Sequence, residues 1–180
     1  MKTLDLVYVG LFAALTAVLG LLPPVPVPGL PVPITAQTLG VMLAGSILGA
    51  KRGGLALLVF VVLVAIGLPV LPGGRGGLGV FLGPSGGFVA AFPVAAAVIG
   101  WLMERFCRRP HLPKAIAINI IGGLGVVYAI GVPWLAVAAN LSLVQALAGS
   151  AAFIPGDVVK AVLASVTLQA VWRAMPDLKR

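Results

Sequence analysis

The sequence predicts an all-α integral membrane protein with six transmembrane helices and both termini in the cytoplasm. Three observations predict it. First, 61% of the 180 residues are hydrophobic and only 9% are charged. A soluble domain carries roughly 45–50% apolar and 25% charged residues, so one core could not hide these side chains under a polar surface. Second, the apolar residues fall into runs long enough to cross a bilayer, which takes about 20 residues each. Third, the basic residues sit in short clusters between alternate runs, as orientation by the positive-inside rule requires. Soluble enzyme, disordered tail and secreted disulfide scaffold are excluded by the same arithmetic. The chain reads as one transmembrane domain over 1–180.

The spans follow in order. The first covers 4–22, too long for a signal-peptide core and followed by proline instead of a cleavage site. Pro23–Pro33 (PPVPVPGLPVP) is a rigid external loop, because proline removes donors and enforces extended backbone. The second span, 34–50, ends at Lys51-Arg52, and the third covers 55–71. A Gly-rich external loop follows, PGGRGGLGVFLGPSGG, over Pro72–Gly87. The fourth span, 87–104, ends in the basic stretch Glu104–Lys114. The fifth covers 115–135 and is broken near Pro133. Ala136–Phe153 is mildly apolar but holds Asn140, Ser142 and Gln145, and reads as a helical external loop or a partial re-entrant piece. The sixth covers 154–172. This topology places Lys2, Lys51, Arg52, Arg105, Arg108, Arg109, Lys114, Arg173, Lys179 and Arg180 inside and Arg75 outside. A seventh span would send the basic C-terminus outside. The net charge of +8 is therefore topological, and nucleic acid is not a partner; membrane lipid is.

Chemistry concentrates at the outer side. Asp157 and Lys160 lie in the last span at spacing i,i+3, on one helix face. Ionisable groups inside a span are costly and face a cavity or each other. Together they offer an acceptor beside a donor, and a cyclic urea is a natural complement. Pro155-Gly156 puts the pair at the positive, outer end of its helix. Thr35, Gln37 and Thr38 follow the proline loop, while Arg75 and Ser85 stand in the glycine loop, whose backbone is free to approach a ligand. On the first helix, Gly10 and Ala14, and Ala13 and Ala17, form small-x-x-x-small pairs that admit a second helix closely.

Other motifs carry nothing. Gly74–Gly79 fits G-x-G-x-x-G without a βαβ unit around it. Gly83-Pro84-Ser85-Gly86 resembles an intramembrane serine-protease motif, but the single histidine, His111, is on the other side of the membrane. Metal-ligand spacing and a P-loop are both missing. Cys107, the single cysteine, forms no internal disulfide and reads as a spectator despite its basic neighbours. The chain is not expected to be an enzyme or to hold a cofactor.

Three segments, PVPITAQTLGVMLAGSILGAKRG, GLPVLPGGRGGLGVFLGPSGGF and IPGDVVKAVLA, resemble the BioY family, in order and across nearly the whole chain. That family comprises the biotin-binding S components of energy-coupling-factor transporters. The resemblance implies a six-helix S-component fold in the plasma membrane of a prokaryote. It implies high-affinity capture of external biotin, which is the transported ligand and not a cofactor. It also implies a separate transmembrane coupling subunit and two ATPase subunits; the small-residue faces serve a homo-oligomer and a heteromeric contact alike. Carried over by motif, Asp157 and Lys160 hold the ureido ring; Thr35, Gln37, Arg75 and Ser85 are further contacts. Ser85 stands where the family motif is expected to carry threonine, and keeps the hydroxyl. The pairing of Arg75 with the biotin carboxylate rests on charge alone. Ala13 and Ala17 become the contact for the coupling subunit. The alternative is a stand-alone proton-coupled carrier for a small vitamin-like substrate, protonated at Asp157; transport by this chain alone, abolished by an uncoupler, would discriminate it.

Overall fold

The apolar runs pack as a helical bundle in the computed structural model, which describes residues 2–107 and 111–174. α1 spans Thr3–Gly20. Its N-terminus is closed by Asp5, whose carboxylate accepts from the Lys2 backbone N–H at 2.9 Å. α2 spans Gln37–Ala65 but is not one rod. Twenty-nine residues of straight helix would reach about 44 Å. Yet the Gln37 side chain, at its start, donates to the Val70 carbonyl, beyond its end, at 3.0 Å. Gly49 turns the chain back, with φ 81° and ψ −178°, a region open essentially to glycine. The helix is thus a hairpin of two antiparallel segments, 37–48 and 50–65.

Both expected spans in this region therefore exist, with different limits. The reversal is one residue, Gly49, in place of a loop at 51–54. The return segment stops at Ala65, six residues before the expected end at 71. Residues 66–71 are apolar but irregular, because Gly67 takes φ 100° and Pro69 supplies no donor. The glycine loop contains a single turn, α3, Gly79–Leu82.

α4, Gly86–Phe106, runs through the middle of the bundle and packs mainly on the α2 hairpin. Gly100 lets the two meet at the reversal: a Cβ there would overlap the Gly49–Ala50 backbone. Glu104 completes the join by accepting from the Ala50 N–H at 3.1 Å, capping the return segment. The fifth crossing is α5, Leu112–Ile120, then a π turn, Ile121–Val126, then α6, Val127–Ala138. The expected break at Pro133 does not occur. Proline sits inside α6, and the irregular stretch lies a turn or more earlier, at the glycines of 121–126. Asn140, with φ 53°, ends the crossing. The segment that follows is the short helix α7, Leu143–Ser150, with a Ser142–Gln145 capping box, and a 3-10 turn, Ala151–Phe153. Eight residues span about 12 Å, so α7 is too short to be a seventh crossing. α8, Ile154–Ala174, returns across the bundle.

Lys2, Arg52 and Asp5 meet at the Gly49 end, where Arg52 pairs with Asp5 at 2.7 Å. Trp172, beside Arg173, shares a crevice there with Gly49 and Met103. The proline and glycine loops, Arg75 and α7 lie at the opposite end. The basic end thus faces the cytoplasm. Arg108, Arg109, Lys179 and Arg180, also assigned to that side, lie outside the described residues.

Mid-bundle, three buried polar side chains join α2, α5 and α8. Asn119 accepts from Ser46 Oγ at 2.9 Å and donates to Ser165 Oγ at 3.0 Å. Hydrogen bonds of this kind hold helices together where the apolar effect gives little net drive between them.

Candidate binding site

The proline loop, the glycine loop, the outer ends of α2, α4 and α8 and the first residues of α6 enclose a cavity. Its walls are apolar: Phe88, Phe92, Val127 and Phe153 line it, with the Phe88, Tyr128 and Phe153 rings edge-to-face at 6.3–6.4 Å. That geometry suits the ring quadrupoles and stiffens the wall. The short first segment of the hairpin makes room. Its 12 residues reach about 18 Å, against a hydrocarbon core of about 30 Å. The proline loop fills the shortfall and dips toward α8.

One wall is charged. Asp157 is 3% exposed and accepts three hydrogen bonds. Its Oδ1 takes Lys160 Nζ at 2.8 Å and Thr38 Oγ1 at 3.0 Å. Its Oδ2 takes Tyr128 Oη at 2.6 Å. Lys160 Nζ also donates to the Thr35 carbonyl at 2.6 Å and to Thr38 Oγ1 at 3.0 Å. All three ammonium hydrogens are thus engaged, and the carboxylate keeps capacity for one more donor. A buried pair survives desolvation only when its remaining hydrogen-bonding capacity is satisfied in this way. The site is locally neutral, offers an acceptor and a donor side by side, and is otherwise apolar.

The sequence-predicted residues converge here: Thr35, Gln37, Arg75, Ser85, Asp157 and Lys160 all line the cavity. Their roles differ. Gln37 is buried and its amide donates to the Thr16 and Val70 carbonyls at 3.2 and 3.0 Å, locking α1 and the chain after α2 to the cavity floor. Thr35 contributes its backbone carbonyl. Arg75 is exposed at the rim, tied to the Pro72 carbonyl at 3.2 Å. Ser85 precedes α4 and is buried. Thr38, noted after the proline loop, and Tyr128 both bind Asp157 directly; Tyr128 is the one that sequence reasoning misses. A tyrosine in an apolar run reads as core, and its hydroxyl inside a span was the one signal for it.

Of the two alanines expected at a partner surface, Ala13 needs correction. Ala13 is 2% exposed and belongs to the core, and Ala17 is half-buried against it. The exposed small residues of α1 are Gly10 and Ala14.

The relationships of the chain agree with this geometry. The sequence model of the BioY family matches residues 1–177. A biotin transporter BioY of Rhizobium etli is 49% identical over 183 residues, covering 99% of this chain and 98% of the relative. A probable biotin transporter BioY of Bacillus subtilis is 46% identical over 165 residues, covering 92% and 88%. Among solved structures, the S-component for biotin from an ECF-type ABC transporter, determined at 2.1 Å, superposes with a TM-score of 0.91 at 35% identity, covering 96% of this chain and 95% of that one. With a full-length family match, close relatives at full coverage and the same bundle, the chain belongs to the BioY family.

Proposed function

We propose that this chain captures biotin from the external side of the plasma membrane and acts as the substrate-binding subunit of an energy-coupling-factor transporter. ATP hydrolysis then resides on two separate ATPase subunits, linked through a transmembrane coupling subunit. The observation that carries the reading is the Asp157–Lys160 pair set in an otherwise apolar cavity. Biotin needs such a site: its ureido group has two N–H donors beside a carbonyl, its fused rings are apolar, and its carboxylate ends a chain that can reach the rim.

The hydrogen-bond inventory gives the binding step. A ureido N–H takes the remaining lone-pair capacity of Asp157. A ureido carbonyl reaching Lys160 replaces one of its three acceptors. The Thr35 carbonyl is the one at the end of the proline loop, so ligand entry exchanges a bond that positions that loop. The aromatic wall packs on the rings and excludes water, which strengthens these bonds. Arg75 at the rim is placed for the carboxylate. On α1, the coupling-subunit contact is the exposed Gly10–Ala14 face.

Calorimetric titration of detergent-purified, ligand-stripped protein tests the proposal. Wild type binds biotin at one tight site, and Asp157→Asn and Lys160→Ala each weaken it at least tenfold, roughly 1.4 kcal/mol. Absence of binding by well-folded wild type overturns the biotin reading. Tight binding untouched by either substitution keeps biotin and removes this site.

A further inference from the structure

A second concavity lies on the outer surface of the bundle, between the return segment of α2 (50–65) and α4. It is an apolar trough of about 520 Å³. Gly54, Pro93 and Ala97 form its floor, and Leu58, Val94 and Trp101 rise along it. The floor is low because Gly54 has no side chain: a Cβ there would stand 3.2 Å from that of Ala97. From Ala50 to Leu58 it runs about 12 Å along the helix axis.

The trough ends in positive charge. Lys51 adjoins the trough-lining Ala50 and precedes Gly54 by three residues, which sets it level with the cytoplasmic end of the trough; Arg105 follows Trp101 by four and stands one turn beyond. Both side chains are exposed. The acidic groups nearby are directed elsewhere. Asp5 pairs with Arg52 at 2.7 Å. Glu104 accepts from the Ala50 N–H and lines a different crevice with Gly49, Met103 and Trp172. The Arg105 guanidinium sits 5.7 Å from the Phe106 ring centroid, and Trp101 is 56% exposed toward the basic end of α4, as a tryptophan at a membrane interface would be.

We infer that this trough is a lipid site: it holds one acyl chain of an inner-leaflet anionic phospholipid, whose phosphate seats between Lys51 and Arg105. An apolar slot matches the chain, and two cations at its cytoplasmic end match a phosphate of the inner headgroups. Both cations also serve the orientation of the chain; a transmembrane helix of a partner or of a second copy would fill the slot without drawing on them.

Brominated phospholipids, whose bromines quench tryptophan on contact, test the site in reconstituted vesicles. The signal of Trp101 is the difference between wild type and Trp101→Phe. Vesicles mix brominated phosphatidylglycerol with unbrominated phosphatidylcholine, or the reverse. The expected result is a preference at Trp101 of at least about threefold for phosphatidylglycerol, falling to about equal affinity in the Lys51→Gln/Arg105→Gln double variant. That variant is checked for monodispersity and an unchanged melting temperature. Equal quenching by both lipids in wild type overturns the proposal, leaving unselective annular lipid. So does a preference that survives the double substitution. Lack of quenching by either lipid also overturns it, and assigns the trough to a protein occupant.

Discussion

Asp157 is held by three donors from three different parts of the chain, and the loss of any one of them has a defined consequence. Tyr128→Phe removes the 2.6 Å bond to Oδ2 and leaves that oxygen facing an aromatic wall. A hydrogen bond to a charged group contributes about 1.5–3 kcal/mol. The variant should melt lower and bind biotin about tenfold more weakly; unchanged affinity by calorimetry would show that the tyrosine does not position the carboxylate. At the inner end, Cys107 is 2% exposed, and burial pushes its thiol up from the ordinary value. The thiolate is the reactive form, so a raised pKa means less of it at neutral pH. Maleimide should label the folded protein slowly at pH 7, faster as pH rises, and rapidly after denaturation. Fast labelling of folded protein at pH 7 would contradict this burial. Asp157 and Lys160 were legible in the sequence because an ionisable residue inside an apolar run has few inexpensive explanations. Asn119 was not: its partners, Ser46 and Ser165, are 73 and 46 residues away, and no linear spacing announces such a network.

At the scale of elements, apolar runs located the helices better than where each one stops. Residues 66–71 continue the composition of the preceding helix, yet Gly67 and Pro69 take them out of it. Pro133 breaks nothing. The real irregularity, the π turn at 121–126, has a geometric use. Asn119 and Tyr128 both face the bundle interior, but in an uninterrupted α-helix residues nine apart point about 180° away from each other. A π turn absorbs an extra residue and brings them to about 80°. One helix thereby serves the mid-bundle network and the binding cavity from the same side. The Gly49 reversal is the most demanding joint. Gly49→Ala places a side chain at φ 81°, ψ −178°, costing about 1–3 kcal/mol, and should lower the melting temperature in detergent. Gly10→Ala is the control, since nothing lies within 4 Å of its would-be Cβ and alanine favours helix by about 1 kcal/mol. Equal melting of the two variants would mean that the reversal relaxes freely.

At the scale of the whole molecule, the two ends of the bundle do different work. The outer end is built from loops and short segments around a cavity; the inner end is tight, joined by Glu104 on Ala50 and Arg52 on Asp5. A subunit that binds a ligand and also assembles with membrane partners needs a separate surface for each task. α1 is suited to the second task, with Val7, Gly10, Leu11, Ala14 and Val18 exposed along one face. Small residues within that face allow close helix approach. The sequence singled out this helix but could not say which of its two small-residue pairs turns outward, because alanine is equally at home in a core and in a contact. The structure separates them, and so does a pair of substitutions. Ala14→Leu adds bulk to the outside: biotin affinity and melting temperature should hold, while co-purification with the coupling subunit and ATP-dependent uptake fall at least tenfold, roughly 1.4 kcal/mol of contact energy. Ala13→Leu adds the same bulk inside a packed core and should cost about 1–3 kcal/mol of stability, lowering the melting temperature whether or not partners are present. If Ala14→Leu assembles and transports as wild type does, the coupling subunit docks on another face.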